Sequence, residues 1–509
     1  MTLLKMGHGT PHLLLAQIKN DEFIYAPEVA NIDFREYRIN LLKNYPQLKD
    51  FATEKTFDFD KIWPDWINVL SWRKIETNMS LEFIAANLKT KTTVMDGTAT
   101  PERIANELSG AKNNGFPYTH VGFGVYPVGY LQFIDCAKSV KKFDPQIVTI
   151  AGNIGSLLEG TKSYVDYVFL GDGVKSLRRL FGEDVIDPYR VKITLDRHIS
   201  SKRFQMVYLA TKLGCPEKCD FCMTAKLFGG KITPPLVTPV QVYNAVTELN
   251  EKSKKITSIA LCEPNLLLFK QWWYELFELF EDYKDPIGIG GPATMSSIKN
   301  FDFKRISNSS LHFTLFNVGI ESFTKEYNKN YDFDKTKDII DNLRSVGIGA
   351  LATFIIGFEH HSRESVLEEI KLLAELDCLH YFVQNLIAYP KTELYDNLKE
   401  EGKLVDFPHD FYSLPYFQAF KHSNFRIGFE DMLPLWREIY VYLLQETGHQ
   451  ILNSIEIYEN KPKAFEYFND RANECRMMSK HLFNSWKKYL KPSEKQIERY
   501  LAKLEGKYF

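Results

Sequence analysis

Three cysteines stand close together in Thr211-Lys-Leu-Gly-Cys215-Pro-Glu-Lys-Cys219-Asp-Phe-Cys222, with three and then two residues between them. Thiolates so spaced can hold three corners of a four-iron four-sulfur cluster and leave the fourth iron without a protein ligand, which makes that iron a chemical site. The spacing differs from the two-two-three run of electron-carrier ferredoxins and from the paired hooks of zinc ribbons, which need four ligands. A zinc site with a distant fourth ligand, or cysteines that are merely buried, are the plain alternatives. The preceding segment, 203–210, alternates and is rich in β-formers, so the cysteines are expected on a loop leaving a strand. Phe221, just before the last cysteine, is placed to shield one side of a cluster.

Composition narrows the setting. The chain has 509 residues, 44% apolar and 25% charged, as in an ordinary globular protein of several domains. Lys and Arg number 63 against 65 Asp and Glu, so no excess of positive charge points to nucleic acid or an anionic membrane. The N-terminal residues lack the apolar core of a secretion signal, and no apolar run approaches the ~18 residues that would span a bilayer. Seven cysteines, three of them clustered, argue for metal ligation in a reducing, cytoplasmic compartment over a disulfide framework. Cys136, Cys378 and Cys475 read as small hydrophobes, and Cys262 as the one to watch.

Regular elements must position this loop. Residues 1–79 read as an N-terminal extension able to contribute to the first domain, with a candidate first strand at 13–18 and three tryptophans, Trp63, Trp66 and Trp72, on a core or contact surface. From 80 to 200 short strands and helices alternate: helix 80–89, strand 92–95, helix 101–108, strand 120–125, helix 131–141, strands 146–151 and 165–170, helix 174–180. Such alternation implies a doubly wound, Rossmann-like parallel sheet, which binds ligands at the carboxyl ends of its strands. Three turns end on that edge: Gly124-Val-Tyr126-Pro, Gly152-Asn153-Ile-Gly155-Ser156 and Gly171-Asp172-Gly173. Glycines there let backbone approach a large flat ligand, although tight strand-to-helix turns are the bland reading. From 201 to 400 six strands alternate with helices, and 401–509 is helical in texture, with an apolar stretch at 432–444, an amphipathic one at 492–504 and many aromatics assigned mostly to a core.

The cysteine loop, with an aromatic residue before its third cysteine, resembles that of the radical S-adenosylmethionine enzymes. The resemblance implies that the open iron chelates S-adenosylmethionine and that one-electron reduction releases a deoxyadenosyl radical, the electron coming from a flavodoxin- or ferredoxin-like reductant. It also implies that the six repeats form a partial (β/α)6 barrel, whose function lies at the strand ends. Val318-Gly319-Ile320-Glu321-Ser322 resembles the family's Gly-x-Glu-Ser segment, which puts Glu321 and Ser322 by the bound S-adenosylmethionine. Phe354-Ile355-Ile356-Gly357 resembles the strand and glycine that pack on adenine, and Tyr389-Pro390-Lys391-Thr392 the usual Pro-Gly-Thr, with lysine for glycine. Glu263, in Glu263-Pro264-Asn265, falls where the family keeps acidic residues beside substrate. Cys262 is a candidate hydrogen-atom donor or group carrier, with buried inertness as the alternative.

Residues 121–180 resemble the cobalamin-binding domain of one large class within that family. The resemblance assigns Tyr126, Gly152, Asn153, Gly155, Gly171, Asp172 and Gly173 to cobalamin, with departures: Gly171-Asp172-Gly173-Val174 stands for Gly-Glu-Gly-Glu, and no histidine follows Asp96-Gly97. A corrinoid without a protein imidazole ligand is therefore expected, His120 and His8 being structural. Together these likenesses imply a cobalamin-dependent C-methyltransferase acting on an unactivated carbon of a small molecule or peptide. The alternatives are cyclisation or rearrangement with the same cofactors, non-radical methylation, or a corrinoid or iron–sulfur sensor without turnover. A methylthiotransferase fails on cysteine arithmetic, because residues 1–200 offer only Cys136.

Overall fold

In the computed structural model the residues described are 10–18, 38–39, 41–43, 45–57, 78–127, 129–196, 204–324, 327, 331–376, 378, 380–414 and 416–446. The tryptophan-bearing stretch 58–77, His8, Cys475 and the amphipathic segment 492–504 lie outside them.

The first unit is a five-stranded parallel sheet built from β1 (His12–Ile18), β2 (Lys91–Thr98), β3 (His120–Val125), β4 (Val148–Gly152) and β5 (Tyr167–Phe169) in the order β2-β1-β3-β4-β5. Its helices are α1 (Met79–Ala86), α2 (Pro101–Asn113), α3 (Tyr130–Phe143) and α4 (Gly173–Phe181). Strand β1, the candidate strand at 13–18, lies between β2 and β3 with Leu13, Leu14, Ala16 and Ile18 fully buried. A strand covered on both faces has no reason to alternate, hence its unbroken apolar run. Its residues still divide by parity: Leu14 and Ala16 pack with Val121, Phe133 and Val140, while Leu13 and Leu15 pack with Leu81, Ile150 and Leu177 on the other face. Local signals set the helix starts, Thr100 capping α2 with Pro101 in its first turn and Asp172 capping α4.

The second unit has seven strands in the order β12-β11-β10-β9-β8-β7-β6. Six of them are parallel: β7 (Phe204–Leu209), β8 (Ile256–Leu261), β9 (Ile287–Ala293), β10 (Leu311–Glu321), β11 (Gly349–Ile356) and β12 (His380–Asn385). They match the six expected repeats within a few residues. Strand β6 (Thr194–Asp196), absent from the sequence reading, adds antiparallel to β7 as an edge. Between and after the strands come α5 (Met223–Phe228), α6 (Pro239–Ser253), α7 (Lys270–Leu279), α8 (Met295–Lys299), α9 (Phe333–Ser345), α10 (Arg363–Glu375) and α11 (Glu393–Glu400). One large core joins strand residues such as Val207, Ile289, Phe313, Phe316 and Phe354 to Trp273, Phe277 and Ile370 from the helices.

Beyond α11, residues 402–431 hold a single 3-10 turn and isolated bridges (Leu404 to Phe420, Gln418 to Gly428) before α12 (Met432–Glu446). The described half of the C-terminal region is thus irregular first and helical after. Its aromatics Phe411, Tyr412, Tyr416, Phe417 and Trp436 form a core with Leu41, Tyr45 and Leu48 from the N-terminal extension. That extension therefore splits, β1 going to the first sheet and 41–52 to the C-terminal core. Among the described residues, no helix is long and apolar enough to cross a membrane.

Candidate active site

The cysteine loop leaves β7 and is pinned before it reaches Cys215. Gly214 pairs with Ile232, Leu213 N donates to Thr233 Oγ1 at 2.9 Å, and Leu236 N donates to Thr211 O at 2.7 Å. Gly214 has φ +85°, and a Cβ there would overlap the Lys231 carbonyl oxygen, so only glycine permits this crossing. Cys215 is buried, Cys219 and Cys222 are half-buried, and none forms a disulfide. Cys222 N donates to Cys219 O at 3.0 Å, which closes the loop's last turn at the start of α5.

Glu263, expected to face substrate, is fully buried, and its carboxylate serves this loop instead. It accepts from Thr211 N at 2.6 Å and from the Thr211 hydroxyl, and it pairs with the buried Lys212 ammonium, which also donates to Leu266 O at 3.0 Å. Two backbone strands diverge here and leave donors and an ammonium that water cannot reach. A buried carboxylate is the group that satisfies them.

Phe221 lies as expected beside the third cysteine, in an aromatic group with Tyr327 and Phe358 at centroid distances of 6.5 and 6.3 Å. Tyr327 and Phe358 stack at 3.8 Å. Tyr389 lies near Cys222, and its phenol is pushed up to about 12 by burial and by that thiol. Leu394 N donates to Asp220 O at 3.1 Å, tying α11 to the same loop.

Gly357 and Glu321 end adjacent strands, β11 and β10, across a register shift at Gly319/Glu321. Glu321 is half-buried with φ +67°. Asn153 and Lys391 are also in the left-handed region, at +71° and +72°. Non-glycine residues held there are strained, and two of them, Glu321 and Asn153, lie on turns singled out for cofactor contact. Lys391 stands where the resemblance expects glycine, and its φ gives the reason glycine is usual. Ser322 departs from expectation: its hydroxyl is fully buried and donates to Glu369 Oε2 at 2.8 Å, so the side chain turns away from any ligand.

The turns of the first sheet converge on the second unit. A cavity of about 370 Å³ has Tyr126, Gly152, Asn153, Gly171, Asp172 and Gly173 on one wall and Lys212, Leu213, Gly214, Cys262 and Pro264 on the other. Gly155 does not line it but lets the turn close, since a Cβ there would sit 2.7 Å from Val125 Cγ1 and 2.8 Å from the Tyr126 carbonyl carbon. Asp172 uses one oxygen to cap α4 through Lys175 N at 3.1 Å and the other to accept from Tyr189 at 2.5 Å. The cavity continues along the sheet face past Gly122 and Ile150, under Met79, Leu81 and Ile84 of α1. Walls of glycine backbone and aliphatic side chains, with polar groups at one end, suit a large flat ligand with an extended tail.

No histidine among the described residues lines the cavity. His120 is at the opposite end of β3, buried against Phe181 and lowered to about 4 by burial, a structural residue as expected. Cys262 opens onto the cavity, with its sulfur 3.1 Å from Met79 Sδ. Surrounding protein, and then Glu263, push its thiol up to about 12, so it faces the cavity protonated. Cys136 is raised to about 12 by burial in the first core, as an inert hydrophobe should be.

Comparison with known proteins agrees with this geometry. Residues 211–373 match the Radical SAM superfamily. A hopanoid C-2 methylase from Rhodopseudomonas palustris (strain TIE-1) is 24% identical over 201 residues, which are 38% of this chain and 37% of the methylase, little more than a third of each. Among solved structures, the radical S-adenosylmethionine methyltransferase TsrM from Kitasatospora setae, with tryptophan substrate and an S-adenosylmethionine analogue bound, superposes with a TM-score of 0.53 at 16% identity over 73% of this chain and 86% of TsrM. The cobalamin-dependent S-adenosylmethionine radical enzyme OxsB gives 0.53 at 12% identity, over 83% of this chain and 80% of OxsB. The three-cysteine loop, the six parallel strands behind it and these likenesses lead to one conclusion: residues 211–373 form a radical S-adenosylmethionine domain, and the fold as a whole is similar to that of solved cobalamin-dependent radical S-adenosylmethionine enzymes.

Proposed function

We propose that this chain is a cobalamin-dependent radical S-adenosylmethionine C-methyltransferase acting on a carbon of a small molecule or peptide. The observation that carries the reading is the shared cavity, in which the glycine turns of the first sheet face the root of the cysteine loop across about 370 Å³. Hopanoid C-2 methylase and TsrM, both named for methyl transfer, support methylation over cyclisation or rearrangement.

The residues fit the cofactors. Cys215, Cys219 and Cys222 offer three thiolates from one loop, as an iron–sulfur cluster with one open iron requires. The cobalamin-side turns offer backbone with few side chains, and no histidine to ligate cobalt from the cavity wall. The bound cofactors supply one-electron cleavage of a carbon–sulfur bond and a transferable methyl group. The protein's own work is placement and exclusion of water. Phe221, Tyr327, Phe358 and Tyr389 keep water from the third cysteine, and Lys212 with Glu263 fixes the approach to the first. Cys262, which opens onto the cavity, is placed to donate a hydrogen atom or carry a group. A flavodoxin- or ferredoxin-like protein in a reducing cytoplasm would provide the electron.

The test is anaerobic purification from cobalamin-supplied cells, with iron, sulfide and corrinoid quantified per chain in the wild type and in a Cys215→Ala, Cys219→Ala, Cys222→Ala variant. About four irons and one corrinoid are expected, with iron lost in the variant, and substrates are then screened for methyl gain. Iron without corrinoid, even after reconstitution, would sink the methylcobalamin reading.

A further inference from the structure

A buried relay connects the two turns at the ends of β10 and β11. His361, fully buried, receives Gly357 N at 3.0 Å and Phe358 N at 3.3 Å on Nδ1. Two backbone donors on Nδ1 place the ring proton on Nε2, which lies 3.1 Å from Glu369 Oε1 and donates to it. The other oxygen of Glu369 accepts from Ser322 Oγ at 2.8 Å and Phe323 N at 2.7 Å. Burial alone would raise this carboxyl, but the hydrogen bonds from His361, Phe323 and Ser322 outweigh it and hold Glu369 below the usual range.

His360, His361 and Glu369 bring potential ligand atoms within 4.8 Å of one another, the spacing of a metal site. The tautomer rules that out, since Nδ1 faces backbone N–H groups and Nε2 carries the proton, which leaves His361 no lone pair for a cation. The group is a hydrogen-bond relay. It runs from Gly357 and Phe358 through a glutamate on α10, a helix outside the strands, to Ser322 and Phe323. At its near end Phe358 stacks on Tyr327 beside Phe221, one residue before Cys222.

We propose that His361 and Glu369 are positioning residues for S-adenosylmethionine, locking the Glu321–Ser322 turn to the Gly357–Phe358 turn so that both present one rigid edge. The proposal rests on the reading of those turns as the S-adenosylmethionine edge. It also explains why Ser322 is buried: its hydroxyl completes the relay and does not contact the ligand. Two loops joined through a buried, fully hydrogen-bonded carboxylate lose the independent motion that a bound nucleoside would otherwise have to freeze.

The test uses reconstituted full-length protein, wild type beside Glu369→Ala, Glu369→Gln, His361→Ala and Ser322→Ala. S-adenosylmethionine is titrated against the electron paramagnetic resonance signal of the reduced cluster, with iron content and melting temperature measured in parallel. Charge-assisted hydrogen bonds of this kind predict about a tenfold or greater rise in the half-saturating concentration for Glu369→Ala and His361→Ala, and a smaller rise for Ser322→Ala. Glu369→Gln, which keeps an acceptor for Ser322 and Phe323, should recover part of the loss, and turnover at saturating S-adenosylmethionine should change less than KM. If Glu369→Ala fails to hold iron, Glu369→Gln and Ser322→Ala decide. Wild-type half-saturation in the iron-replete variants would overturn the proposal and leave the cofactor assignment standing. A wild-type signal that does not respond to S-adenosylmethionine would overturn both.

Discussion

The two walls of the cavity are built on opposite principles. The first-sheet wall combines main chain with apolar side chains: Gly152, Gly171 and Gly173 present little beyond backbone, Leu15, Leu81 and Ile150 continue the surface, and Asn153 and Asp172 spend their side chains capping adjacent turns. Behind the cysteine wall, by contrast, lie buried ionic and hydrogen-bonded groups, Lys212 with Glu263 and His361 with Glu369. A wall that must admit a wide ligand works by offering main chain and apolar surface with few polar side chains. One that must hold metal ligands within a fraction of an ångström works by over-determining its loops.

The sharpest break in this contrast is Glu263→Ala. It leaves the Lys212 ammonium buried without its carboxylate, which costs about 3–5 kcal/mol. Thermal unfolding should show that loss together with reduced iron per chain, while corrinoid content in the folded fraction holds.

A buried carboxylate also stands behind the corrinoid wall. Asp410, from the irregular C-terminal segment, accepts from Tyr45 at 2.7 Å and faces the backbone N–H groups of Gly129, Tyr130 and Leu131 at the start of α3. Burial outweighs those hydrogen bonds and raises it to about 6 from the usual 3.8. The folded state thus binds this proton more tightly than the unfolded chain, so stability falls as pH rises from about 4 to 6 and stays lowered above that. The penalty is about 3 kcal/mol at 1.36 kcal/mol per pH unit. Asp410→Asn should therefore be more stable than wild type at pH 7.5, with the gap closing as pH falls through 6 towards 4 in denaturant titrations.

Gly155→Val tests the other wall. Crowding Val125 and Tyr126 costs about 1–3 kcal/mol and should lower the corrinoid bound per chain with iron unchanged. Equal loss of both cofactors would show the walls to be one unit. Lys391→Gly has the smallest expected effect: removing a left-handed lysine should stabilise by about 1 kcal/mol, seen as a small rise in melting temperature.

Much of this was legible before any fold was known. The alternating strands of the second unit followed from local apolar periodicity and turn residues, their number being fixed by the family resemblance, and the spacing of Cys215, Cys219 and Cys222 limited their chemistry. Three turns flagged by glycine, at 124–127, 152–156 and 171–173, do meet at one cavity. The strand at 13–18 is legible as an apolar run, but its place between β2 and β3 is not, because its partners lie more than seventy residues on, at Lys91 and His120. Edge strand β6 is three residues long, too short to carry a pattern.

Thus the sequence by itself determined most of the elements and which residues are candidates for metal-binding chemistry, because both depend on neighbours within a few positions. Only the tertiary structure decided how buried charges are spent. Ser322 meets Glu369 across 47 positions, Thr211 meets Glu263 across 52, and Tyr45 meets Asp410 across 365. A carboxylate's role depends on which donors folding brings to it once water has been excluded.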